Sequence, residues 1–186
     1  MAVAQRMSEH AYERFVMAGV EGAWELHDGV LVEKPAVTWD HGRVTTRLAR
    51  QLLPQLDEAE YDVRINEGRV RKLSDTIFIP DLIVVPAAYG RDFVNRMVLA
   101  VLPDPLPLVV EVWSPSTGGY DVDTKVPIYM QRGDLEIWRI HPYERTLTIW
   151  VRQEDGSYRE TVSRTGMVSL SMLPGVKIDL DRLFAE

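Results

Sequence analysis

Two carboxylates stand where the surrounding chain is apolar. Asp81 follows Pro80 in Ile-Pro-Asp-Leu-Ile-Val-Val, and Glu111 sits within Leu-Val-Val-Glu-Val-Trp. Such flanks predict buried strands, where a lone carboxylate is costly unless it is paired or binds a cation. Two of them on adjacent strands would repel without a counter-charge between them. A divalent ion supplies one. With no cysteine and no histidine pair at ligand spacing, hard oxygen ligands point to Mg²⁺ or Mn²⁺ rather than zinc. The competing account gives each acid a backbone or arginine partner at the sheet edge.

Lys125 and Tyr129 lie four positions apart, so they project from one face of a predicted helix. A lysine over paired carboxylates can orient or deprotonate a water, or offset charge on a phosphorane-like transition state. The same residue also reads as an ordinary surface lysine. His41 precedes Val44 and Leu48 on the core-facing side of another predicted helix.

The elements that must position these residues follow from periodicity and turn chemistry. Ser8 caps a helix ending near Gly19, and Asp28-Gly29 joins strands 24–27 and 30–33 as a hairpin. A helix over 38–53 buries Val44, Leu48 and Leu52. Segments 61–66 and 69–73 flank Glu67-Gly68 and are expected to pair as a second hairpin. Pro80 interrupts the β-rich run 77–85, which implies an edge, a bulge or a strand start there. Residues 86–107 are irregular, 108–113 form a strand, and 114–119 are turn-rich. Asp121 or Asp123 caps a helix that stops at Gly133. Segments 135–141, 146–152 and 158–163 read as a β-meander, and 179–184 as a terminal helical turn.

The 186 residues suit one α/β domain, 1–186. No signal-peptide core is visible, and no apolar run approaches the roughly 20 residues that cross a bilayer. A cytoplasmic protein without membrane association is expected. The net charge of -7 runs against a wholly basic nucleic-acid binder. Basic clusters exist nonetheless: Arg43, Arg47 and Arg50 on one helix, and Arg64, Arg69, Arg71 and Lys72 around the second hairpin. Both read most simply as solvated faces. Trp113, Trp138 and Trp150 offer amphipathic surface beyond what a small domain need bury, so a homodimer is expected.

Pro80-Asp81 with Glu111-Val112-Trp113 resembles the PD-(D/E)XK nuclease signature. More specifically, 79–85, then Val109 to Thr117, then Asp123, Lys125, Tyr129, Gly133 and Trp138, resemble the bacterial Uma-two family of restriction endonucleases. Trp24-Glu25-Leu26 with Asp28-Gly29, the helix near His41, and 137–142 extend the likeness over roughly residues 8–184. The resemblance implies a restriction-endonuclease-like core: a central mixed sheet flanked by helices, with an N-terminal hairpin and a C-terminal meander. It implies a nucleic-acid phosphodiesterase, on DNA more than RNA. Asp81, Glu111 and the Val112 carbonyl would hold Mg²⁺, His41 would approach the metal, and Glu25 would match a polar position of the family's first strand. The signature's usual lysine position holds Trp113, and the likeness implies that its role passes to Lys125. The alternative is a binding module on the same fold without cleavage.

Overall fold

The computed structural model describes residues 6–73, 75–116, 118–120 and 124–185. Helix α1 (Glu9–Met17) is capped by the Ser8 side chain, which accepts from Ala11 N. Strands β1 (Ala23–His27) and β2 (Val30–Lys34) then form the expected hairpin. Asp28 and Gly29 both take positive φ, 48° and 76°, as a two-residue turn of this twist requires. Helix α2 (Trp39–Leu52) is capped by Thr38 and buries His41, Val44, Leu48 and Leu52.

The chain continues through β3 (Tyr61–Ile65), β4 (Arg69–Leu73), β5 (Thr76–Phe78), β6 (Leu82–Pro86), α3 (Ala87–Gly90), β7 (Val101–Leu102) and β8 (Leu108–Val112). After the short α4 (Gly118–Tyr120) and α5 (Val126–Arg132) come β9 (Glu136–His141), β10 (Thr146–Arg152) and β11 (Tyr158–Ser163). A hairpin of β12 (Met167–Ser169) and β13 (Lys177–Asp179), absent from the sequence reading, leads into α6 (Leu180–Leu183). Asp121 and Asp123, the expected helix caps, lie outside the described residues.

Two main sheets result. The six-stranded one runs β11-β10-β9-β8-β6-β3, and the five-stranded one β2-β1-β5-β4-β7. The larger sheet is mixed, since β8 and β9 are parallel while its other pairs are antiparallel. Leu82, Val84, Leu108 and Val110 face a core shared with α2 and α6, whereas Ile83, Val85 and Val109 face a second core with Val126 and Tyr129. Burial on both sheet faces explains why β6 and β8 read as continuous apolar runs. Among the described residues, no helix is long and apolar enough to cross a membrane.

The expected hairpin of 61–66 with 69–73 does not form. Strand β3 pairs with β6 in the larger sheet, while β4 pairs with β5 and β7 in the smaller one. Residues 66–68 therefore carry the chain between sheets instead of reversing it. Asn66 takes a left-handed φ of 55° and donates its backbone N–H to the Asp81 carbonyl. Gly68 passes so near Ile83 that a Cβ there would overlap its side chain. The 77–85 run is likewise divided: β5 belongs to the smaller sheet, β6 to the larger, and Pro80 lies in the break, where no ladder donor is missed. The hairpin's basic residues are not simply solvated. Arg71 pairs with Glu9 at 2.5 Å, Arg69 Nε donates to Tyr12 Oη at 3.1 Å, and Lys72 bonds Gln131. Trp138 and Trp150 are buried in the cores, which removes most of the aromatic argument for self-association.

Candidate active site

The break at Pro80 places Asp81 just ahead of β6, beside the end of β8. Asp81 is 1% exposed, and its carboxylate collects three contacts. Lys34 Nζ, from the end of β2, donates to Oδ1 at 2.6 Å. Val112 N donates to Oδ2 at 2.7 Å, and His41 Nε2 lies 2.9 Å from the same oxygen. Burial works against the charged form, but Lys34 and His41 outweigh it, holding the carboxyl well below the usual carboxylate range. An ionised carboxylate only accepts, so Nε2 carries the hydrogen in this contact. His41 Nδ1 is buried and has no hydrogen-bond partner among the described residues.

Glu111 belongs to a neighbouring cluster. Tyr129, from α5, donates to its Oε1 at 2.5 Å, and Lys125 Nζ lies 3.3 Å from that atom. Lys125 also donates to Glu25 Oε1 at 2.9 Å. Its side chain is 2% exposed, so the surface-lysine alternative does not hold. The ammonium lies 5.7 Å and 5.9 Å from the ring centres of Phe78 and Tyr120, which add aromatic faces to its surroundings.

Ile79 joins the two clusters. Its N–H donates to Glu25 Oε1 at 2.8 Å, and its carbonyl accepts from Lys34 at 2.9 Å. The smaller sheet thus supplies Glu25 and Lys34, the larger supplies Glu111 and Val112, and the break between β5 and β6 supplies Ile79 and Asp81. Helices α2 and α5 complete the site with His41 and Tyr129. The candidate site residues named from the sequence lie here: Asp81, His41 and Val112 in one cluster, Glu111 and Lys125 with Glu25 in the other. Val112 contributes its N–H to Asp81; the expectation for it concerned the carbonyl. Lys34 was missed, because a lysine before Pro35 at a strand end looks like solvent-facing punctuation. Trp113 stacks on His141, with ring centres 4.2 Å apart, and meets Tyr143 edge-on at 5.7 Å.

The site is rich in hard oxygen donors. Among the described residues, however, no three of His, Asp and Glu are grouped as a ready-made ion cage. Lys34 and Lys125 supply positive charge to the carboxylates instead.

The Uma2 family profile, described as "Putative restriction endonuclease", matches residues 10–181. None of the curated proteins compared with the chain matches it. Among solved structures, a "putative nuclease belonging to DUF820" from Anabaena variabilis ATCC 29413 superposes with a TM-score of 0.76 at 15% identity. That likeness covers 96% of this chain and 98% of the other, and it shows a shared fold.

Proposed function

The chain belongs to the Uma2 family, and from that premise we propose that it is a metal-dependent endonuclease hydrolysing phosphodiesters of nucleic acid, DNA in preference to RNA. Family and fold support a nuclease. The observation that carries the finer reading is the convergence of Glu25, Asp81 and Glu111, each 1% exposed, at the junction of two sheets. Among the described residues they are accompanied there by two ammonium groups, from Lys34 and Lys125. Burying three carboxylates is costly, and a structural role alone would be served more cheaply by apolar side chains. We account for the arrangement by a site that receives a cation in exchange for one of these ammonium contacts.

Carboxylate oxygens are the donors that Mg²⁺ or Mn²⁺ prefers; among the described residues they are not grouped as a cage, and each acid already meets an ammonium that an ion would displace. Asp81, Glu111 and the Val112 carbonyl would hold the ion in the manner of a PD-(D/E)XK site, with Glu25 beside them. When bound, such an ion supplies Lewis acidity and a more acidic water. The chain's own groups do the rest. Lys125, between Glu25 and Glu111, orients the attacking oxygen and offsets charge developing on the phosphoryl group. Tyr129 fixes the rotamer of Glu111. His41 and Val112 N fix Asp81.

A binding module without cleavage is the rival reading. It is favoured by the contacts already made to both oxygens of Asp81, and by Trp113 where the signature has lysine. Incubation of plasmid and oligonucleotide substrates with Mg²⁺ or Mn²⁺, beside an EDTA control, separates the two. Metal-dependent cleavage that is lost in Asp81→Asn supports the endonuclease. A folded wild type that binds DNA but cleaves nothing with either ion establishes the rival.

A further inference from the structure

Helix α2 has two functional faces. Its inner face delivers His41 to Asp81, while its outer face carries Trp39, Arg43 and Arg50 with Arg47 alongside. Trp39 is 85% exposed at the first position of the helix, an unusual place to leave an indole in solvent. Among the described residues, the carboxylate paired with an arginine of this face is Asp40, which lies 2.9 Å from Arg43. Arg47 is fastened to the carbonyls of Leu183 and Ala185, which fix its position without neutralising it. The face is therefore locally cationic on a chain of net charge -7. Successive arginines at four- and three-residue spacing stand about 4.5–6 Å apart along the axis. That suits neighbouring phosphates of an extended strand.

The face is continuous with the candidate active site. Tyr143 Oη donates to Thr38 Oγ1 at 3.2 Å, next to Trp39. Tyr143 in turn meets Trp113, which follows β8 two positions after Glu111. Aromatic rings thus lead from the carboxylates to the outer face of α2, and arginines continue from there.

We infer that the outer face of α2 is a track for a single, unpaired nucleic-acid strand, with Trp39 stacking on an unstacked base and Arg43, Arg47 and Arg50 on the phosphates. The inference rests on the nuclease reading for its relation to the site, but it concerns binding rather than cleavage. An aromatic ring can take a base only where that base is out of its duplex stack, whereas arginines read phosphates in either form. Trp39 therefore confers the preference for a single strand.

The test is fluorescence anisotropy of labelled oligothymidylate, and of a blunt duplex, with Ca²⁺ in place of Mg²⁺. Trp39→Ala should weaken binding of the single strand about tenfold or more and change duplex binding little. Arg50→Gln should reduce the salt slope for the single strand by about 0.7. Both side chains are exposed, and circular dichroism checks folding. Unchanged single-strand affinity in both variants overturns the inference, even if the wild type cleaves DNA. A Trp39→Ala variant that turns a dimer into a monomer in sedimentation, with oligonucleotide binding intact, also overturns it and assigns the face to a second copy of the chain. Trp39-dependent single-strand binding by a wild type that never cleaves supports the inference while removing the nuclease reading. Cleavage with Trp39-dependent binding supports both.

Discussion

Lys125 donates to Glu25 across 2.9 Å, although 100 positions of sequence separate them. The contact joins the start of α5 to the N-terminal hairpin, and the same ammonium lies 3.3 Å from Glu111. One lysine thereby ties together acids from two sheets. Position and charge at this point are set by the fold as a whole rather than by the segment after Glu111.

Lys125→Met tests the charge with the stem retained. Cleavage should fall by about 10²–10⁴-fold, the range of a positioned acid–base or charge-stabilising group. Because the buried pair is broken from one side, stability should fall by about 3–5 kcal/mol. Mg²⁺ should raise the melting temperature of the variant more than that of the wild type, since a cation replaces the missing ammonium. Cleavage at the wild-type rate by Lys125→Met would remove the lysine from the mechanism.

Asp81 sets an acid-side expectation. Its carboxyl lies below the ordinary range because Lys34 and His41 outweigh burial. The folded state thus favours the ionised form. The associated stability is present in full above the unfolded value of about 3.9 and is lost as pH falls below it toward the folded value. Denaturant melts of the wild type should steepen in their pH dependence below about pH 4, and Asp81→Asn should flatten that slope. Parallel profiles for the two proteins would show that Asp81 is not the group responsible.

His41 meets the candidate site at Asp81. Its Nε2 is 2.9 Å from Oδ2, while Lys34 and Val112 N keep their own contacts when it is removed. His41→Ala should therefore leave the carboxylate in place but less fixed, with Mn²⁺ affinity and cleavage each reduced about 10–100-fold. Calorimetric titration with Mn²⁺ reads the first quantity independently of turnover. An unaltered affinity would confine His41 to packing.

The carboxylates were legible in the sequence because apolar flanks made them anomalous, but the same anomaly occurs elsewhere without a site. Glu136 lies between Leu135 and Ile137 and is also buried. It accepts from Trp138 Nε1 at 2.7 Å and from the backbone N–H groups of Ser171 and Met172 at 2.8 and 3.1 Å, and burial raises its pKa. It is a polar clasp for the C-terminal segment, and among the described residues no ammonium pairs with it. Flanking sequence cannot separate that case from Glu111; the convergence of other carboxylates does. Lys34 was illegible for the opposite reason, since nothing local distinguishes it and only the pairing of β1 with β2 and β5 carries it to Asp81. The β-meander, the Asp28-Gly29 hairpin and α2 were readable because each is decided by contacts within a short span of chain. The crossing at 66–68 was not, because turn chemistry at Glu67-Gly68 reports that the chain bends and does not report which sheet it enters.

Gly68 offers a direct test of that crossing. In a hairpin its value would lie in turn conformation, and its cost on substitution would be independent of Ile83. In the observed fold a Cβ at 68 collides with the side chain of Ile83, which is fully buried in the larger sheet between β3 and β8. Gly68→Ala should thus destabilise the protein by about 1–3 kcal/mol through overpacking. Ile83→Val, which deletes the colliding methyl, should cost about 0.5–1.5 kcal/mol alone. Combined, the two should cost less than their sum, because the smaller valine makes room for the new methyl. A coupling of about 0.5 kcal/mol or more in the double-mutant cycle is expected from chemical denaturation. Strict additivity would mean that residues 66–68 do not pass over Ile83, and that the route between the two sheets, with the placement of Asn66 against Asp81, must be redrawn.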